Sequence, residues 1–149
     1  MPATVILLVE DNDDDAELTK LAFDRAKIGN PLVRVRDGVE AIDYLFGRGI
    51  YADRDVSNLP AVVLLDLNLP KVDGIEVLKA IRGHPSTKHL PTVILTSSNA
   101  DQDRLRAYDS FANSFIQKPV DFDQFVAAAR DIGLYWLVLN KPAPVHGGL

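Results

Sequence analysis

Five times along this chain a short run suited to a β-strand is followed by a segment with helical periodicity. The strand-like runs are 5–9, 32–36, 62–66, 92–96 and 114–117. Between and after them, apolar residues recur at steps of three and four. These are Leu18, Leu21, Ala22 and Ala26, then Val39, Ile42, Leu45 and Phe46, then Ile75, Leu78 and Ile81. A more polar stretch over 101–109 is weaker, and the last set is Phe122, Phe125, Ala129, Ile132 and Trp136. Such alternation calls for a parallel sheet with helices on both faces. The first, third and fourth runs are apolar almost throughout, as a strand covered on both faces must be. The second alternates Val33 and Val35 with Arg34 and Arg36, and the fifth, Ser114-Phe115-Ile116-Gln117, is mixed. Both read as edge strands.

Right-handed crossovers satisfy both edges with the strand order 2-1-3-4-5. That is the doubly wound, flavodoxin-like α/β order, with its crevice between strands one and three. Gly29-Asn30-Pro31 is expected to stop the first helix, and 47–60 reads as a long polar loop. No repeat or linker divides the chain, so residues 1–149 are expected to form one domain. The segment 141–149, with Pro142, Pro144, Gly147 and Gly148, reads as a loose tail.

Composition narrows the function. The formal net charge of -5 argues against general binding to nucleic acid. There is no cysteine, hence no thiolate metal site, disulfide or Cys nucleophile. No apolar run is long enough to cross a bilayer, and no signal peptide is visible. The expected location is the cytoplasm.

The chemistry lies where the strands end. The first run stops on Glu10 and Asp11, the third on Asp66, the fourth on Thr96 and the fifth on Lys118. All fall on the carboxyl edge of the sheet, where ligands bind in open α/β folds. Three carboxylates gathered there repel one another, and a divalent cation relieves the repulsion. Oxygen donors without His or Cys favour a hard ion, most simply Mg²⁺, which often shares its site with a phosphate. A hydroxyl and an ammonium suit phosphoryl oxygens, and a carboxylate can serve as nucleophile. His84 and His89 flank a loop and read as bystanders.

Glu10-Asp11, Asp66, Thr96 and Lys118-Pro119, with Pro70 and Asp73-Gly74, resemble the signature of the receiver domain of two-component response regulators. The resemblance covers about residues 4–138. It implies that Asp66 accepts a phosphoryl group from a histidine kinase. It also implies that Asp11, Asp66 and the Asn68 carbonyl hold Mg²⁺ (or Mn²⁺), with Glu10 acting through a water. Thr96 and Lys118 would meet phosphoryl oxygens, and Lys118-Pro119 would be a cis peptide. Thr96 and Phe115 would form the switch, read out on the surface of the 101–109 helix, the fifth strand and the last helix. Only weak self-phosphorylating and self-dephosphorylating activity is implied. Two positions depart from the common pattern: Glu10 replaces a frequent Asp, and Ser97 a small Ala or Gly. The long 47–60 loop and the apolar Tyr135-Trp136-Leu137-Val138-Leu139 resemble the single-domain response regulators of bacterial phytochromes. That implies a phytochrome-type kinase as donor, and a homodimer through the last helix and its neighbouring strand.

Three rivals fare worse. An Asp-nucleophile phosphatase needs a general acid two positions on, where this chain has Asn68. A pseudo-receiver would lack an acid or the Lys. A nucleotide-binding fold would carry a Gly-rich loop after the first strand.

Overall fold

The computed structural model describes residues 4–67, 69–96, 114–117 and 122–132, with the backbone alone at 96, 114–117 and 132. Strands β1 (Ile6–Val9), β2 (Leu32–Val35), β3 (Val62–Asp66), β4 (Thr92–Thr96) and β5 (Ser114–Gln117) form one sheet. All its pairs are parallel, in the order β2-β1-β3-β4-β5. The two strands read as edges are the edges.

Helices α1 (Asp13–Arg25), α2 (Gly38–Phe46), α3 (Gly74–Gly83) and α4 (Phe122–Ile132) cover the sheet. Successive side chains of a strand point to opposite faces. Leu7, Val9, Val63, Leu65 and Ile94 therefore enter one core with α2 and α3. Ile6, Leu8, Val62, Leu64, Val93 and Leu95 enter the other with α1 and α4. Every residue of β1 and β3 is buried, which is why neither shows polar alternation.

Two helical faces are rotated from the sequence reading. In α1, Phe23 takes the core position and Leu21 is half exposed. In α2, Ala41, Tyr44 and Leu45 are buried and Val39 is exposed. In each helix an aromatic ring, Phe23 or Tyr44, takes a buried place that the spacing did not give it, while Ala22 and Leu45 stay in the core as read.

Helix α1 starts where its capping chemistry lies. The Asn12 side chain accepts from the Asp15 N–H at 2.9 Å, and Asp13, Asp14 and Asp15 occupy the positive end of the helix dipole. It stops before Gly29. Lys27 adopts the left-handed conformation (φ 61°). The Ile28 N–H then donates to the Phe23 carbonyl and the Lys27 N–H to that of Asp24. This closes the helix as a Schellman turn. Ile28 packs on the same core cluster as Phe23, so apolar contact overrides the Gly signal.

The 47–60 segment is more ordered than a polar loop. Gly47 ends α2 at φ 67°, a conformation open to glycine at little cost. A 3₁₀ turn, Gly49–Tyr51, follows. The Tyr51 ring meets Tyr44 edge-on at 5.1 Å, and its hydroxyl donates to Glu40 at 3.0 Å. The Arg54 guanidinium lies 4.1 Å over the Tyr44 ring, with Nε donating to the Tyr44 carbonyl at 2.6 Å and Nη1 to that of Asn58 at 3.0 Å. The segment is clamped onto α2.

Candidate functional site

Parallel strands put all their carboxyl ends along one edge. Val9 pairs with Leu65, so Glu10 and Asp66 follow side by side on adjacent strands. One carboxylate oxygen from each of Glu10, Asp11 and Asp66 lies within 4.8 Å of the others. Glu10 is fully buried and Asp66 is 4% exposed, whereas Asp11 is open to solvent. An all-oxygen donor set of this kind fits a hard divalent cation.

Local sequence explains the placement. The Glu10 N–H donates to Val35 at 3.0 Å, extending the β1–β2 ladder by one residue. Its carbonyl accepts from Arg34 Nε at 2.9 Å, and its Oε2 accepts from the Asn12 N–H at 3.3 Å. On the other side, the Leu67 N–H donates to Leu95 at 3.1 Å, holding the segment just after Asp66 against β4. The chain then returns closely past Asp66. A Cβ on Gly74 would lie 2.5 Å from the Asp66 carbonyl oxygen and 2.6 Å from Leu67 Cα. Only glycine allows α3 to begin there. Asp73 caps that helix, accepting from the Ile75 N–H at 3.0 Å.

The structure thus brings Glu10, Asp11 and Asp66 together. The backbone places Thr96 at the end of β4 opposite Gln117, and Phe115 opposite Ile94. Asn68, Lys118 and Pro119 lie outside the described residues, as do 101–109, 135–139 and 141–149. His84 is exposed, with Nδ1 2.8 Å from Ser86 Oγ. The metal-type grouping found among the described residues contains no histidine.

Arg34 escaped the sequence reading. Its alternation with Arg36 points only to an edge strand and gives the residue no role of its own. Its side chain is 17% exposed, and Nη1 also pairs with Asp13 at 2.8 Å. The same Asp13 oxygen receives Arg36 at 2.9 Å. The hydrogen bond from Arg34, then the charge of Arg36, hold the Asp13 carboxyl below its ordinary range. The available signal was Asp13 itself, an acid at a helix start facing two basic residues.

The sequence matches the response regulator receiver domain over residues 6–130. The chain belongs to that family. Among curated relatives of this receiver domain, the probable methanogenesis regulatory protein FilR2 of Methanothrix harundinacea is 42% identical over 144 residues, covering 94% of this chain and 88% of FilR2. The response regulator Rcp1 of Synechocystis sp. is 36% identical over 136 residues, covering 91% of this chain and 90% of Rcp1. Among solved structures, the bacteriophytochrome response regulator RtBRR aligns with a TM-score of 0.79 at 47% identity, over 95% of this chain and 85% of RtBRR. The phosphorylated cyanobacterial phytochrome response regulator RcpA gives 0.79 at 37%, over 95% and 99%. The Mn²⁺-bound form of Rcp1 gives 0.79 at 35%, over 94% and 99%. Receiver domains bind Mg²⁺ at an acidic pocket, and in this receiver domain that pocket is Glu10, Asp11 and Asp66. Among the described residues, no helix is long and apolar enough to cross a membrane.

Proposed function

We propose that this receiver domain, acting in the cytoplasm, accepts a phosphoryl group on Asp66 from a phytochrome-type histidine kinase and passes the signal on by protein contact. The observation that carries the reading is the buried Asp66 carboxylate, grouped with Glu10 and Asp11 at the carboxyl edge of the sheet. An Asp66 oxygen attacks the phosphorus of a phosphohistidine. The O–P bond forms, the P–N bond breaks, and the imidazole leaves and takes up a proton. Later, water attacks the same phosphorus, releasing inorganic phosphate and restoring the carboxylate.

A bound Mg²⁺ or Mn²⁺ supplies positive charge to the carboxylates and the phosphoryl oxygens. Asp11, Asp66 and the Asn68 carbonyl would hold it, with Glu10 acting through a water. By the family resemblance, the Thr96 hydroxyl and the Lys118 ammonium would each take a phosphoryl oxygen. Thr96 and Phe115 would relay the change to the 101–109 segment, β5 and the last helix as a shift between two populations. The phytochrome assignment is supported by the similarity to RtBRR and RcpA. Homodimerisation through the last helix and β5 is supported by the apolar run 135–139.

Incubation with acetyl phosphate and Mg²⁺, followed by intact mass, tests the reading. One phosphoryl group is expected on the wild type, and none on Asp66→Asn or in excess chelator. Labelling that persists in the Asn variant would place the nucleophile elsewhere.

A further inference from the structure

We infer that Arg34 is a positioning residue for the acidic pocket, fixing the Glu10–Asp11 turn so that its carboxylates are set for a divalent cation. The inference rests on the receiver reading above and concerns a residue outside the donor set. Arg34 lies on β2 in register with Leu8, two residues before Glu10 on the neighbouring strand. Its guanidinium reaches forward past the strand end. Nε donates to the Glu10 carbonyl at 2.9 Å and Nη1 to Asp13 Oδ1 at 2.8 Å.

These two contacts bracket the turn. Glu10 opens it and Asp13 begins α1, so one rigid fork spans the residues between them. Asp11 is exposed and sits inside that bracket. A planar guanidinium presents donors to both acceptors in fixed directions, whereas an ammonium on a flexible stem is a point charge that sets neither direction. Arg36 provides an internal control. It brings the same charge to the same Asp13 oxygen at 2.9 Å, but from the surface, with its side chain 58% exposed.

The test is Mg²⁺ titration by calorimetry on the full chain, with thermal unfolding in chelator run alongside. Arg34→Gln and Arg34→Lys are each expected to weaken Mg²⁺ binding roughly tenfold, the lower end of what loss of supporting contacts around a metal site costs. Arg36→Gln is expected to stay within about twofold of wild type, since exposed charges contribute little. Equal shifts in Arg34→Gln and Arg36→Gln would make the effect one of general charge and overturn the inference. So would wild-type affinity in Arg34→Lys, or a lowered melting temperature with unchanged Mg²⁺ affinity in both Arg34 variants. A wild type that bound no Mg²⁺ would sink the receiver reading together with this one. Normal wild-type binding with unmoved Arg34 variants would sink only the role of Arg34.

Discussion

Two polar constellations lie on this domain, one at the strand ends and one against α2, and their chemistry runs in opposite directions. At the strand ends, Glu10, Asp11 and Asp66 bring like charges within 4.8 Å of each other. Against α2, Arg54 meets two carbonyls and the face of Tyr44, while Tyr51 donates to Glu40. The α2 group is complementary within itself and contributes stability. The acidic group gathers like charges into a donor set that a divalent cation fits, and backbone pairing and close packing set where its members stand. The difference separates a part of the fold that keeps itself together from a part kept ready for a ligand. A buried, unpartnered nitrogen does not make that distinction, because both Arg34 and Arg54 leave an Nη2 in that condition.

The sharpest way to break the separation is Gly74→Ala. The added methyl would meet the Asp66 carbonyl and Leu67 Cα, both backbone atoms that cannot turn aside. A loss of about 3 kcal/mol is expected, at the upper end of ordinary overpacking. Urea unfolding measures it. Because the displaced segment carries Asp66, Mg²⁺ affinity should fall too. Retained stability with retained affinity would mean that the approach of α3 to β3 is not tight.

Arg54→Ala should act on one side of the comparison alone. It removes a cation–π contact and two hydrogen bonds, leaving the Tyr44 and Asn58 carbonyls to find other partners. A cost of about 2 kcal/mol follows from typical magnitudes. Mg²⁺ affinity and acetyl phosphate labelling should match wild type. A variant that lost Mg²⁺ affinity would show that the clamp and the pocket are coupled.

This contrast also explains what could be read from the sequence. The unbroken apolar runs of β1 and β3 declare strands covered on both faces, and the acid that ends each run stands out against them. The strand order follows from the Arg34 alternation and the mixed Ser114 run, because both mark edges. Long-range side-chain geometry left no such trace. Arg34 alternates like a solvent-facing residue, and only the register of β2 on β1 brings its guanidinium to Glu10. Residues 47–60 have no period at all. Their order comes from single contacts between Arg54, Tyr44, Tyr51 and Glu40, which depend on where α2 ends. Gly29 looked like the stop for α1, but burial of Ile28 brought the turn forward onto Lys27.

The smallest expected effect is on Tyr51, and pH can isolate it. Burial, and then the Glu40 carboxylate it donates to, push the Tyr51 phenol up from 10.0 to about 12. The folded state therefore keeps its proton at pH values where the unfolded chain has lost it. Stability from this group is fully present below pH 10.0 and falls as pH rises from there towards about 12. Tyr51→Phe removes the hydroxyl, at a cost of about 1 kcal/mol near neutrality. The cost is held to that size because Glu40 also accepts from the Arg36 N–H at 2.8 Å and remains partnered. Denaturant unfolding across alkaline pH should show the wild-type advantage shrinking above pH 10.0, while the Phe variant lacks that part of the slope. A gap that stayed constant through the window would mean that the hydroxyl is as well solvated in the folded protein as in the unfolded chain. The α2 group would then be held by Arg54 and ring packing alone.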